Sequence, residues 1–183
     1  MTMQLFSRLE SGLPVEVAAQ DVSAGELQKF LVEAVMDNNA ISDPSRGVEF
    51  VVDGPAFEQV TWAQVAVDRN LFDQAINDLL DNAGKYSFMH TRVMVEARLT
   101  KAHLVITIGN IGLRIGADQV LEVVKKGVRG VLAKSGVAEG EGLGLWIVSE
   151  IMKAHGGRVE IVPTTPHPEN RTLVNLWFPL RSK

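Results

Sequence analysis

Apolar positions along this chain keep a helical spacing in some stretches and alternate in others. From Asp68 to about Tyr86, Leu71, Phe72, Ala75, Ile76, Leu79, Leu80 and Ala83 recur at the three- and four-residue steps of one helix face, with Asp68 as the cap. Leu27, Phe30, Leu31, Ala34 and Val35 predict an earlier helix to about Asn38, opened by Ser23 and by Glu26 three residues later, the pairing of a capping box. Residues 1–10 read as a short helical tail with Leu5 and Leu9 four apart. It is broken by Gly12 and Pro14, has little to pack on, and looks like the end of a longer helix. Residues 116–126 and 143–155 predict two more helices, the last stopped by Gly156 and Gly157.

Strands are predicted at residues 14–19, 48–52, 60–67, 92–99, 103–108, 158–162 and 172–178. A turn falls at residues 43–46, and Asp53, Gly54 and Pro55 make another between the second and third strands. A tight turn at residues 100–102 makes a hairpin of the next pair, and a polar loop at 163–171 joins the last two. Residues 127–142 form a glycine-rich, charged loop too long for a simple connection. Hairpin-joined strands interleaved with helices predict an α+β fold, a two-layer α/β sandwich with a mixed, mostly antiparallel sheet and helices on one face.

Composition narrows the chemistry. With 183 residues, 46% apolar and 22% charged, the chain fits one domain with a short appendage. A net charge of −4 and the lack of a long basic run point away from nucleic acid. The local cluster Lys125, Lys126 and Arg129 reads equally as a solvated helix end or as a phosphate-facing group. Without cysteine, disulfides, zinc thiolates and cysteine nucleophiles are excluded. No apolar run reaches the ~18 residues of a membrane span, and the first twelve residues lack the apolar core of a signal peptide. The expectation is a cytoplasmic, monomeric domain without direct membrane contact, any anchor belonging to a longer parent protein.

Three short motifs carry the candidate chemistry. In NDLLDNAGKYS (77–87), Asp78, Asn82 and Lys85 share one helix face at steps of four and three, while Leu79, Leu80 and Ala83 take the other. An Asn82 amide oxygen suits magnesium, and Lys85 suits a phosphate; the plainer reading is a solvated face. In GNIGLRIG (109–116), Gly112 lets backbone approach a flat ligand, and Asn110 offers a donor and an acceptor to an adenine edge. A simple strand-to-helix turn would look the same. In GEGLGLWIV (140–148), Gly140, Gly142 and Gly144 stand before and within a helix start, where free N–H groups meet anions. No Lys-Ser or Lys-Thr pair follows, so this is not a Walker loop, and no strand feeds it as in a dinucleotide fold.

In this order the motifs resemble the N, G1 and G2 boxes of the ATP-binding catalytic domain of sensor histidine kinases, in the Bergerat-fold superfamily shared with gyrase and the mismatch-repair ATPases. The resemblance covers nearly the whole chain. SRLESG (7–12) is similar to the end of a dimerisation-domain helix, implying that residues 1–12 are a remnant or linker and 13–183 the ATP-binding domain. It implies ATP and Mg2+ as ligands, Asn82 on the metal, and Lys85 and Tyr86 lining the nucleotide site. Gly140, Gly142, Leu143 and Gly144 would wrap the triphosphate, with Asn110 and Gly112 at the adenine. Asn110 stands where the family has an aspartate, Arg114 where it has a second glycine, and Val124 where it has an F-box phenylalanine. Asp78 stands where many kinases have asparagine and gyrase-type ATPases a glutamate base, so it joins Lys85 and Arg129 as a candidate catalytic residue.

The resemblance further implies a partner: a dimerisation and phosphoacceptor domain of the same kinase, and a response regulator through it. None of His90, His103, His155 and His167 has an acceptor context, and His155 reads as structural. The expected function is transfer of the ATP γ-phosphate to a histidine on that separate domain. Three rivals remain open: a non-catalytic nucleotide-sensing module with a degenerate G1 box, a gyrase-type ATP hydrolase, and an anti-sigma-factor serine kinase.

Overall fold

The computed structural model describes residues 2–123, 125, 143–164 and 171–181. Its chain order is α1 (Thr2–Glu10), β1 (Gln20–Ser23), α2 (Ala24–Ile41), β2 (Glu49–Val52), α3 (Gly54–Glu58), β3 (Gln64–Val67), α4 (Arg69–Tyr86), β4 (Arg92–Leu99), β5 (His103–Ile111), α5 (Val120–Val123), α6 (Gly144–Ala154), β6 (Arg158–Val162) and β7 (Arg171–Pro179). A five-stranded sheet runs β2-β4-β5-β7-β6, and β1 pairs with β3 in a small ribbon. Among the described strands only β2 with β4 is parallel; the other pairs are antiparallel. The expected α+β sandwich with a mixed, mostly antiparallel sheet is therefore observed.

Helices α2, α4 and α6 lie against one face of the sheet. Alternation along β4 sends Val93, Val95 and Ala97 into that layer. On β5, Leu104, Ile106 and Ile108 join them, opposite Phe178, Leu176 and Val174 of β7. The other face is closed by polar bonds rather than helices: Thr107 donates to Asn175, and Asn175 and the Trp177 indole both donate to Glu160. Arg158 stacks on the Trp177 ring at 4.0 Å.

Local chemistry explains both the agreements and the departures. Ser23 and Glu26 form the expected reciprocal capping box on α2. Gly156, at φ 69°, takes the left-handed conformation just past α6. Residues 53–55, expected as a turn, instead open α3. Asp53 caps it by accepting from the Ala56 N–H, and Pro55 sits in the first turn, where its missing N–H costs nothing. The strand expected at 60–67 is reduced to β3. The strand expected at 14–19 is not formed; the ladder starts at Gln20, opposite Val67, and the Ala18 N–H is taken by the Asp68 carboxylate at 2.8 Å. The helix expected from residue 116 begins at Val120, after a turn in which Gly116 N–H meets the Gln119 side chain. The α1 tail does find packing: Leu5 is buried in the core, and the Phe6 ring stands edge-on to Trp146 of α6 at 6.2 Å. No described helix is long and apolar enough to cross a membrane.

Candidate functional site

Helix α4 supplies the framework of the site. Its apolar face, Leu71, Phe72, Ala75, Ile76, Leu79, Leu80 and Ala83, is buried as the spacing predicts. Its other side carries Gln74, Asp78 and Asn82, one turn apart. Asp78 is half-buried with its Oδ2 shielded from solvent, and Gln74 is buried. The three buried side-chain polar atoms without a hydrogen-bond partner among the described residues all belong to this pair: Gln74 Nε2, Gln74 Oε1 and Asp78 Oδ2. Buried polar groups are rarely left so, and an orphan marks a ligand, a water or a catalytic task. Burial pushes the Asp78 carboxyl up to about 6, and the neighbouring Asp81 charge adds to the rise; Gln74 and Lys85 oppose it.

The first turn of α6 faces this stripe. A Cβ at Gly144 would stand 3.1 Å from Asn82 Nδ2 and 3.9 Å from the Asp78 Cβ. Glycine therefore lets the start of α6 settle directly over the Asn82 amide. Helices α2, α3 and α4 each have a side-chain cap, whereas α6 starts at Leu143 with no side-chain cap bond. That first turn lies beside Asn82 and Asp78, where helix-start N–H groups favour an anion.

The far end of α4 is stitched to the end of β5. Leu113 N–H donates to the Tyr86 carbonyl at 2.9 Å, Phe88 N–H donates to the Ile111 carbonyl at 2.9 Å, and Ser87 bridges Gly112. A Cβ at Gly112 would fall 1.9 Å from the Tyr86 oxygen. This glycine is thus demanded by protein packing, not solely by the approach of a ligand. Asn110 is buried on the helix-facing side of β5 and donates to Ser87 Oγ at 3.3 Å. Arg46 Nη2 donates to the Ser87 carbonyl at 2.6 Å. Lys85 is paired with Asp81 at 2.5 Å, and Arg114 is exposed.

The structure thus gathers Asp78, Asn82 and Gly144, with Leu143 adjoining, at one end of the α4–α6 seam. Tyr86, Asn110 and Gly112 lie at the junction of α4 with β5. Arg129, Gly140, Gly142, Val124 and the 127–142 loop lie outside the described residues. Sequence reasoning missed Gln74, Ser87, Arg46 and two threonines. Thr172 stands opposite Asn110 on β7, and its hydroxyl meets that of Thr164 at 3.0 Å, while Thr164 Oγ1 accepts from Ile115 N–H. Gln74 was detectable, one turn before Asp78 on the same face; the threonines needed the sheet register.

Among the described residues no cluster of three His, Cys, Asp or Glu side chains could hold a metal. An amide oxygen at Asn82 with the orphaned Asp78 Oδ2 nearby suits magnesium better, because that ion keeps much of its water and takes few protein ligands beside phosphate. The residues present therefore fit a magnesium nucleotide.

Comparison with known proteins places the chain in a family. The family described as histidine kinase-, DNA gyrase B-, and HSP90-like ATPase matches residues 67–182. The sensor protein CzcS of Cupriavidus metallidurans is 33% identical over 118 residues, covering 64% of this chain and 24% of that protein. The probable sensor histidine kinase TcrY of Mycobacterium tuberculosis is 29% identical over 180 residues, covering 97% of this chain and 35% of that protein. The chain thus spans well under half the length of these relatives. Among solved structures, the mycobacterial sensor histidine kinase MprB has the same fold at a TM-score of 0.71 and 24% identity, covering 91% of this chain and all of that one. Full-length ShkA, solved in complex with AMPPNP, matches at a TM-score of 0.74 and 18% identity, over 99% of this chain and 35% of that one.

Proposed function

Because the chain belongs to the histidine kinase-, DNA gyrase B-, and HSP90-like ATPase family, and resembles the catalytic domains of sensor histidine kinases, we propose that it binds Mg-ATP and passes the γ-phosphate to a histidine on a separate dimerisation domain. The observation that carries this reading is the uncapped start of α6 set directly on Asn82, beside the orphaned Asp78 oxygen. The N–H groups of Leu143 and Gly144, with Gly140 and Gly142 before them, hold phosphate oxygens. Asn82 offers its amide oxygen to the metal, which when bound neutralises phosphate charge. Lys85, released from Asp81, and Arg129 face the charge that develops at the γ-phosphate; Tyr86, Asn110 and Gly112 take the base end. Catalysis is then positioning and electrostatics, as phosphoryl transfer requires. The AMPPNP bound by the ShkA protein supports nucleotide binding at this fold.

In this reading residues 1–12 continue from the dimerisation domain, residues 13–183 are the catalytic domain, and a response regulator receives the phosphate from that histidine. The domain acts in the cytoplasm, wherever a longer parent is anchored. A second reading rests on Asp78 alone: a half-buried carboxylate pushed up to about 6 is suited to take a proton from water, which would make the domain an ATP hydrolase.

Calorimetric titration with ATP, with and without magnesium, tests the pocket first. Wild type should bind only with magnesium, and Asn82→Ala should lose that binding by about a hundredfold or more, the scale of a lost metal ligand and its support. Retained affinity in Asn82→Ala would remove the metal role. Mixing with a dimerisation domain then separates transfer to histidine from release of free phosphate.

A further inference from the structure

The end of the α4–α6 seam remote from the nucleotide is closed by His155. Its Nε2 accepts the Asp68 backbone N–H at 2.9 Å, and its Nδ1 lies 2.8 Å from the Ile151 carbonyl. Since a backbone N–H can only donate and a carbonyl only accept, the two bonds together make Nε2 the acceptor and Nδ1 the donor of this ring. The ring also stands edge-on to Phe178 at 6.5 Å, and Phe178 packs on Phe72 of α4 at 6.0 Å. The Asp68 carboxylate meanwhile accepts from Asn70 and Leu71, capping α4, and from Ala18. One imidazole therefore pins the end of α6 to the start of α4, over 87 residues of sequence.

Helix geometry carries this contact to the site. Asp68 and Asn82 are fourteen residues apart, about 21 Å along a helix. His155 follows Gly144 by eleven residues, about 16 Å of helix. With His155 against Asp68 and Gly144 against Asn82, the two helices run antiparallel and touch at both ends. A small rotation or slide of α6 about its body would move Gly144 relative to Asn82, where a Cβ added at Gly144 would already stand 3.1 Å from Asn82 Nδ2. The cross-helix bond at the far end fixes that slide.

We propose that His155 is a positioning residue of the nucleotide site: through its Asp68 bond it sets the register of α6 on α4, and so holds the uncapped first turn of α6 over Asn82. This rests on the Mg-nucleotide reading of the site. His155 touches neither ligand nor reacting atoms, and its part in activity is indirect.

Three substitutions separate the cross-helix bond from simple packing. In His155→Gln the side-chain oxygen still reaches toward the Asp68 N–H. In His155→Asn the amide can serve the Ile151 carbonyl but falls short of Asp68. Phe57→Leu, in buried α3 packing away from the seam, is a control for loss of stability. Each is titrated with Mg-ATP by calorimetry at a temperature where it is fully folded, and each is unfolded in urea. The expected result is affinity within about threefold of wild type for His155→Gln, and a loss of roughly tenfold for His155→Asn, the scale on which residues away from a ligand modulate coupling. Phe57→Leu should be less stable and bind normally. Unchanged affinity in His155→Asn, or an equal loss in Phe57→Leu, overturns the proposal. A second readout needs no nucleotide: the Asn82 side-chain amide and Gly144 amide resonances should shift in His155→Asn and stay near wild type in His155→Gln. If wild type itself binds no Mg-ATP, the function reading fails while these resonances still decide the coupling; unmoved resonances overturn it.

Discussion

The two ends of the α4–α6 seam use polar groups in opposite ways. At the Asp68 end, the carboxylate accepts three backbone N–H groups and His155 has a partner at each ring nitrogen. From the middle of α4 toward its Asn82 end, Gln74 and Asp78 keep three shielded atoms without partners among the described residues, and the adjoining helix start has no side-chain cap. The same helix thus has one end whose polar groups are matched within the fold and a stretch beyond it whose shielded groups no described residue matches with a well-formed hydrogen bond. Buried polar groups stabilise when satisfied and cost stability when not. The first end should therefore behave as a structural joint and the second as a binding site held at some expense of stability.

The largest expected effect comes from breaking the satisfied end. Asp68→Ala removes the cap of α4 and the acceptor for Ala18 N–H, while leaving the Asp68 backbone N–H on His155. Loss of a good cap together with a second buried acceptor should destabilise by about 2 kcal/mol, measured by urea unfolding at pH 7. Nucleotide affinity of the folded protein should fall by less than tenfold. A larger loss of affinity than of stability would mean that the Asp68 carboxylate, and not only its backbone N–H on His155, holds the far end of the seam in place.

The orphan end should respond with the opposite sign. The Asp78 carboxyl sits at about 6 in the fold against an ordinary value of 3.8. Above about pH 6 the folded state must hold a charge it disfavours. As pH falls from about 6 to 3.8 the folded state takes up its proton before the unfolded chain does, so the penalty shrinks, and below 3.8 it is gone. Asp78→Asn should therefore stabilise the nucleotide-free protein at pH 8 by on the order of 1 kcal/mol, discounted because the side chain is only half-buried. The gain should vanish at pH 4. Urea unfolding at the two pH values checks this; a gain independent of pH, or a loss at pH 8, would show that Asp78 is not held at such expense. The same variant tests the hydrolase reading, since ATP turnover by the isolated chain should disappear if Asp78 is its base.

What the sequence made legible follows the range of the interactions. The α4 face, the β4–β5 hairpin, the Ser23–Glu26 box and the Gly156 stop all depend on residues within a few positions of one another, and all are found. Gly144 and Asn82 each belong to a short motif that points to one site, and the structure sets them face to face. The misreadings lie where a distant partner decides. Residues 14–19 alternate like a strand, but Asp68 claims Ala18, and the ladder to β3 begins only at Gln20. The sequence near Asp53 reads equally as a turn or as a capped helix start, and the short α3 takes the second form. The helix-end position of His155 marks it as structural, yet its partner Asp68 cannot be named without the packing of α6 on α4.

The smallest effect on stability belongs to the residue between the two behaviours. Lys85 is half-exposed and pairs with Asp81 one turn earlier, so it is neither buried without a partner nor bound into the core. Exposed pairs at this spacing contribute a few tenths of a kcal/mol. Lys85→Ala should change stability by less than about 0.5 kcal/mol. Removing Lys85 also removes a charge that opposes the rise at Asp78, so the Asp78 carboxyl should move further up. If Lys85 leaves Asp81 for phosphate when nucleotide binds, the variant should lose Mg-ATP affinity by roughly tenfold, about 1.4 kcal/mol, and the loss should shrink as salt screens the charge. Stability and affinity would then part at one surface lysine: the interaction that does little for the fold would matter to the ligand. Equal, small changes in both would leave Lys85 as an ordinary surface ion pair and confine the phosphate contacts to the start of α6.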